Sequence, residues 1–364
     1  MTMEIAGAHA LAPGFGTGLN AWGAAITVAL GSLACGYALG GALADARGGR
    51  VASQLLPAAL LTAGAGSAAD AVIWRGVVHG LADAGPRLGA LLAAAVLFAP
   101  SFLALGAVPP LAVKMWTRSL DEVGRRSGWV SSLSAGGSLA GAAAAGFLLV
   151  PVLPLEAVFA GCAAIMGLGA AIVLVAAGLR KSSGAAALAA LCVLALPTGS
   201  PGPGVLEERG SLFGPLTVME KGSVRYVIVA GGVQGAALLG RLDESYLPHV
   251  KVISGLVSAH LDDPANELVV LGLGAGHMPR STGPARCETV EIDPAVLDAA
   301  EKWFEFDRER WPVHLADARA FLIADRRLHD AIVHDALRGG EPPFHLMSRE
   351  FFELASRRLR PGGL

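Results

Sequence analysis

Five stretches of the chain, 21–43, 53–73, 88–112, 128–150 and 153–178, each exceed 20 residues, and together they carry two charged side chains, Asp70 and Glu156. Backbone N–H and C=O groups find no water inside a bilayer, so apolar segments of this length point to membrane-spanning helices. This feature restricts the fold more than any other, because it assigns the first half of the chain to a helical bundle. A sixth apolar run, 184–197, holds about 14 residues and is short for a span. The first 20 residues lack Lys, Arg and a continuous apolar core, which argues against a cleavable signal.

Charge divides the 364 residues in the same way: residues 1–200 hold 10 Lys/Arg and 7 Asp/Glu, and residues 201–364 hold 18 and 23. The second half has the charge density of a soluble domain. The net charge of -2 gives no electrostatic case for nucleic acid. Cys35, Cys162, Cys192 and Cys287 form no CxxC pair and no Cys/His cluster, so neither a disulfide framework nor a metal site is expected.

Basic residues orient the bundle. Arg47 and Arg50, then Lys114, Arg118, Arg125 and Arg126, then Arg180 and Lys181 follow the first, third and fifth spans; the opposite loops carry Arg75 and Arg87. The positive-inside rule places the first set in the cytoplasm. The soluble half is outside if 184–197 spans and inside if that run stays at the interface; its shortness favours inside. Gly36 and Gly40, and Gly137 and Gly141, have the four-residue spacing of close helix packing. Pro109-Pro110 is expected to break or kink the third helix. Glu4, Asp70 and Glu156 read as interfacial acids near segment ends.

Residues 197–204, Pro-Thr-Gly-Ser-Pro-Gly-Pro-Gly, form a linker. The organisation expected is a bundle over 1–182, an apolar segment and linker over 183–204, a small β unit over 205–250 and an α/β domain over 251–364. In the β unit, 215–220 and 224–230 flank Lys221-Gly222 as a hairpin. In the α/β domain, an apolar strand from Glu267 runs into Gly272, Gly274 and Gly276, which permit a tight turn close to a ligand. A second strand ends at Glu291, an acid able to accept hydrogen bonds from two ribose hydroxyls, and a helix spans 294–306. Third and fourth strands end at Asp317 and Asp335. Asp317 or Asp335 alone is as readily a helix N-cap. The ordered set, at βαβ spacing, points to a nucleoside site at the carboxyl ends of parallel strands.

These residues resemble the class I methyltransferase-type Rossmann-like fold and, more narrowly, the spermidine synthase (polyamine aminopropyltransferase) family, over roughly 205–364. Glu208-Arg-Gly-Ser-Leu-Phe-Gly214, with Phe213 where the family has Tyr, Gly231-Gly-Val-Gln234, Asp243-Glu-Ser-Tyr246 and Pro342–Phe352 carry the resemblance. Leu11–Gly16, Trp22 and Gly36–Asp45 are similar to bundles fused to such domains in bacteria. The resemblance implies a transferase in the bacterial inner membrane, its soluble domain cytoplasmic. It would move an aminopropyl group from decarboxylated S-adenosylmethionine, without a metal, to a small putrescine-like amine. It also implies that Glu291 holds ribose, Asp317 the adenine amine and Asp335 serves as base or cation anchor. Gln234 and the glycine turn would bind the co-substrate, and Tyr246 the acceptor.

Two positions depart from the family. Ala275 stands where an Asp holds the donor's aminopropyl end, and Asp335-Ala-Leu-Arg338 replaces a loop with a second acid. Both changes favour an alternative, a methyltransferase using intact S-adenosylmethionine, whose carboxylate Arg338 would pair. A third reading is a nucleoside sensor that gates a transport bundle. Against the resemblance the chain reads as incomplete, lacking a helix before Glu4 and the fifth strand after Leu364. A homo-oligomer is left open.

Overall fold

The structure, a computed structural model, describes residues 1–364 except 118, 180–181, 188–203, 212, 262, 284 and 338–341, and omits the side chains of 47–51. Arg118, Arg180, Lys181 and Arg338, most of the 184–197 run and most of the linker therefore lie outside the described residues, as do the side chains of Arg47 and Arg50. The chain divides into two compact units, Met1–Ser200 and Pro201–Leu364.

Among the described residues of the first unit, five helices are long and apolar enough to cross a membrane: Leu19–Ala46, Ala52–Ala84, Leu88–Trp116, Leu120–Val152 and Leu155–Ala176. A helix α1 (Thr2–Phe15) precedes them, and the first two candidates belong to one helical run, α2 (Leu19–Leu81). The third is α3 (Leu88–Trp116); the fourth includes α4 (Val123–Ala144), and the fifth is α5 (Leu155–Ala176). Gly36 in α2 lies against Gly106 of α3, and Gly66 lies against Ser101 of the same helix. Straight helix would hold Gly36 and Gly66 about 45 Å apart, so the chain doubles back between them and packs both arms on α3. Leu11, Leu97, Phe98 and Phe159 form the centre of the resulting core.

The two glycine pairs behave differently. A side chain at Gly36 or Gly40 would overlap Gly106 or Ala107, so this pair is a packing seam. A side chain at Gly137 would meet no neighbouring element within 4 Å, and Gly141 instead receives a 3.0 Å hydrogen bond on its carbonyl from Thr2. Of the break or kink expected at Pro109-Pro110, no break occurs: α3 continues to Trp116 with both prolines inside it. Asp70 is also not near a segment end. It is 1% exposed and lies well inside the Ala52–Ala84 candidate. Glu156, at the start of α5, is buried and accepts hydrogen bonds from Trp74 (3.0 Å) and Arg75 (2.7 Å).

The second unit opens with a five-stranded antiparallel meander, β1 (Val205–Ser211), β2 (Gly214–Lys221), β3 (Val224–Val229), β4 (Gly232–Leu238) and β5 (Arg241–Ser245). The expected hairpin is its β2–β3 centre. Leu216, Val218, Val227 and Val229 alternate inward there, a period-2 pattern absent from the polar or glycine-containing outer strands. Helix α6 (Pro248–His260) leads into a parallel sheet of β6 (Glu267–Leu271), β7 (Arg286–Glu291), β8 (Val313–Leu315) and β9 (Ala331–His334), ordered β8-β7-β6-β9. Leu268–Leu271 are buried throughout, as a central parallel strand covered on both faces requires.

Short helix α7 (His277–Arg280), α8 (Pro294–Phe304) and α9 (Ala318–Ala324) connect the strands, and α10 (Arg349–Arg357) follows β9. Helix α8 ends two residues before the expected boundary, where Glu305 turns left-handed at φ 56°. After α10, Arg360 and Leu364 donate to the carbonyls of His329 and Asp330, and Ile332 donates to Leu364. The last residues therefore pair along the edge of β9.

Candidate functional site

Strand order marks where a candidate site would open. β6 and β7 are adjacent, β9 flanks β6, and the turn after β6 opens at their common carboxyl end, where open α/β sheets bind ligands. Gly272 adopts φ 106° and Gly274 φ 56°, a region that favours glycine. A side chain at Gly272 would overlap the Asp335 carbonyl, and one at Gly274 the Gln234 carbonyl. The turn is thus wedged between the end of β9 and strand β4, and absence of a Cβ is what lets the three backbones meet. Gly276, at φ 76°, starts α7 and packs against the Phe306 ring.

Glu291, Asp317 and Asp335 line one cleft, together with Gly272, Gly274 and Gln234. Glu291 is 8% exposed; its Oε1 accepts from the N–H groups of Ile292 and Asp293 (2.8 Å each), and its Oε2 from Leu273 (3.1 Å). These bonds tie the acid to the glycine turn and occupy three of a carboxylate's roughly four acceptor positions. One remains for a hydroxyl without rearrangement, against the pair expected. Burial pushes the Glu291 carboxyl up to about 7, against the pull of the three N–H groups. Neighbouring Asp293, also on the cleft wall, caps α8 by accepting from Ala295 at 2.9 Å. Burial raises its carboxyl despite Ser211 and Arg209.

Asp317 caps α9, accepting from Ala320 at 2.9 Å, and its other oxygen meets His345 Nε2 at 2.7 Å. Burial would raise this carboxyl, but the Ala320 N–H and His345 outweigh it and hold it below its ordinary value. Asp335 is held differently. Its backbone N–H donates to Leu271, while the side-chain Oδ1 stands 3.7 Å from His249 Nε2. Burial raises its carboxyl, with His249 opposing. Phe213, Val229, Val233, Ile292 and Leu337 supply apolar wall.

The remaining sequence candidates lie elsewhere. Tyr246 is 47% exposed and is not part of the cleft lining. Ala275 is buried against Gly235 and its methyl is not part of the cleft lining. Arg338 lies outside the described residues. Asp293, His249 and His345 line the cleft and were not singled out from sequence. Pro248, which opens α6 immediately before His249, was the available signal for one of them. No group of three His, Cys, Asp or Glu suited to a metal occurs among the described residues.

No family model matches the chain. The chain is 28% identical over 190 residues to the polyamine aminopropyltransferase of Vibrio vulnificus, covering 48% of this chain and 62% of that protein. It is 30% identical over 126 residues to putrescine N-methyltransferase 2 of Nicotiana attenuata, covering 32% and 34%. A crystal structure of a probable spermidine synthase from Corynebacterium glutamicum aligns with TM-score 0.38 and 23% identity over 45% of this chain and 62% of that one. About half of the chain is therefore similar to polyamine aminopropyltransferases, and the chain spans less than two thirds of the length of these relatives.

Proposed function

We propose that the chain is a membrane-anchored transferase that moves an aminopropyl group from decarboxylated S-adenosylmethionine to a small amine. The observation that carries this reading is the convergence of Glu291, Asp317 and Asp335 on one cleft around the glycine turn. Glu291, fixed by backbone N–H groups, would take a ribose hydroxyl of the donor. Asp317 would take the adenine amine, with Gln234 and the turn closing around the nucleoside. The sulfonium is already a leaving group, so the protein's part is to hold the amine in line and accept its proton. Asp335 would take that role. The apolar helices of residues 1–182 would anchor the enzyme in a bacterial inner membrane with its cleft in the cytoplasm. Similarity to a polyamine aminopropyltransferase supports the choice of group transferred.

One observation favours a second reading. Ala275 is buried and offers the cleft no acid for a donor's bare amino end. A methyltransferase using intact S-adenosylmethionine accommodates that, and one relative is a putrescine N-methyltransferase. Calorimetry on the detergent-solubilised chain separates the two. Tighter binding of the decarboxylated donor is expected, by about tenfold or more, which is about 1.4 kcal/mol. Tighter binding of the intact donor would transfer the assignment to methyl transfer, and binding of neither would remove the nucleoside reading.

A further inference from the structure

His249 has no part in the reading above, yet it faces the one cleft acid without a hydrogen bond to its side chain among the described residues. Its Nε2 stands 3.7 Å from Asp335 Oδ1, a gap that a small rotation or a bridging water closes. The two side chains differ in access: that of Asp335 is 24% exposed and that of His249 is 48% exposed. Helix stability does not ask for a histidine here, since first-turn positions favour acids. Pro248 opens α6 and fixes where its first turn begins, so the imidazole is carried on a regular element.

We propose that His249 relays to solvent the proton that Asp335 collects from the acceptor amine. The inference rests on the transferase reading but holds for either donor. The amine nitrogen forms a bond to the carbon next to the sulfonium; the C–S bond breaks and its electron pair stays on sulfur as a thioether. The surplus proton on nitrogen passes to the Asp335 carboxylate, then to His249 Nε2, and the imidazolium releases it to water. Without the last transfer, a partly desolvated carboxylic acid keeps its proton longer and the next turnover waits for its base. Burial, which raises the Asp335 carboxyl, makes this retention stronger.

Other ionisable groups share the surroundings and must be separated in any titration. Glu291, Asp293, Asp317 and His345 line the same cleft. Helix α6 itself carries Lys251 and His260; it packs against β5, with Asp243 and Glu244, and against α7, with His277 and Arg280.

Steady-state assay of full-length His249→Ala is expected to show kcat lowered by roughly 10- to 100-fold, with donor affinity within about twofold. Added imidazole should restore part of the activity, and the deficit should shrink as pH rises and solvent takes the proton directly. His249→Gln, which keeps polarity but cannot take up and release a proton, should be as impaired as His249→Ala. Recovery in His249→Gln, or a deficit independent of pH and insensitive to imidazole, would overturn the relay. A second measurement needs no turnover. In NMR spectra of the solubilised chain, Asp335→Asn should shift the His249 imidazole signals and leave those of His345 in place; unmoved His249 signals reject the pair. If neither donor binds while the His249 signals still move, the transferase reading fails and the contact of the pair stands.

Discussion

Glu291 and Asp335 stand at the ends of β7 and β9, on opposite sides of β6, and are held in opposite ways. Three backbone N–H groups fix Glu291, and two of them come from the turn that follows its own strand. Asp335 has no such bonds to its carboxylate among the described residues and faces a half-exposed imidazole at 3.7 Å. A group that must orient a ligand gains from being immobilised before the ligand arrives. A group that must gain and lose a proton in each cycle gains from unused acceptor positions and a path to water. The difference teaches that burial alone does not define a role: both carboxyls are raised by desolvation, and their hydrogen bonds separate them.

The largest expected effect breaks the comparison at its reactive end. Asp335→Asn keeps shape and removes the proposed base, so turnover should fall by about 10²- to 10⁴-fold while calorimetric donor affinity stays within about twofold. Comparable losses in binding and turnover would instead make Asp335 a binding group like Glu291.

At the other end the losses should reverse. Glu291→Gln replaces one N–H acceptor by an amide donor and should weaken donor binding roughly 10- to 100-fold, or about 1.4 to 2.8 kcal/mol, before it touches kcat. Its titration sharpens the contrast. The folded carboxyl sits at about 7, above the ordinary value of 4.5. Between those values the unfolded chain has released the proton that the folded chain retains, so rising pH costs stability until about 7 and nothing more beyond it. Donor affinity should move the other way, improving as Glu291 ionises into an acceptor for a ribose hydroxyl, and levelling off above that point. Calorimetry from pH 6 to about 8 on both forms checks this: a flat wild-type profile, or an equal slope in Glu291→Gln, would remove Glu291 as the titrating contact.

The same contrast explains what the sequence revealed. Glycines after an apolar strand and acids at successive strand ends are local patterns, so the turn, Glu291, Asp317 and Asp335 were legible before any fold was known. The five apolar helices were legible for the same reason: length and hydropathy are local too. His249 and His345 were not, because each reaches its acid from an element far along the chain, and only packing brings them together. The outer strands of the meander were hidden by their composition, as Leu-Glu-Glu-Arg in β1 shows no alternation of apolar and polar side chains. Asp70 was misplaced because a window of hydropathy says nothing about which face of a helix a neighbour covers.

The smallest expected effect concerns Tyr246, the sequence candidate that the cleft leaves out. The family resemblance gives it the acceptor, whereas the fold anchors its backbone N–H to Ala236 at 2.7 Å and leaves its side chain 47% exposed. A phenol in that position has bulk water for its hydroxyl, so removing the hydroxyl strands no buried partner and costs nothing of the kind that follows truncation of a buried donor. Tyr246→Phe should therefore leave kcat and the acceptor KM within about twofold, the range of surface substitutions away from a site. A rise of tenfold or more in acceptor KM, with donor affinity unchanged, would mean that the β5–α6 connection swings the phenol over the cleft when the acceptor binds. Tyr246 would then join Asp335 on the reactive side, and the contrast between a fixed donor wall and an open acceptor wall would become one between a fixed wall and a closing one.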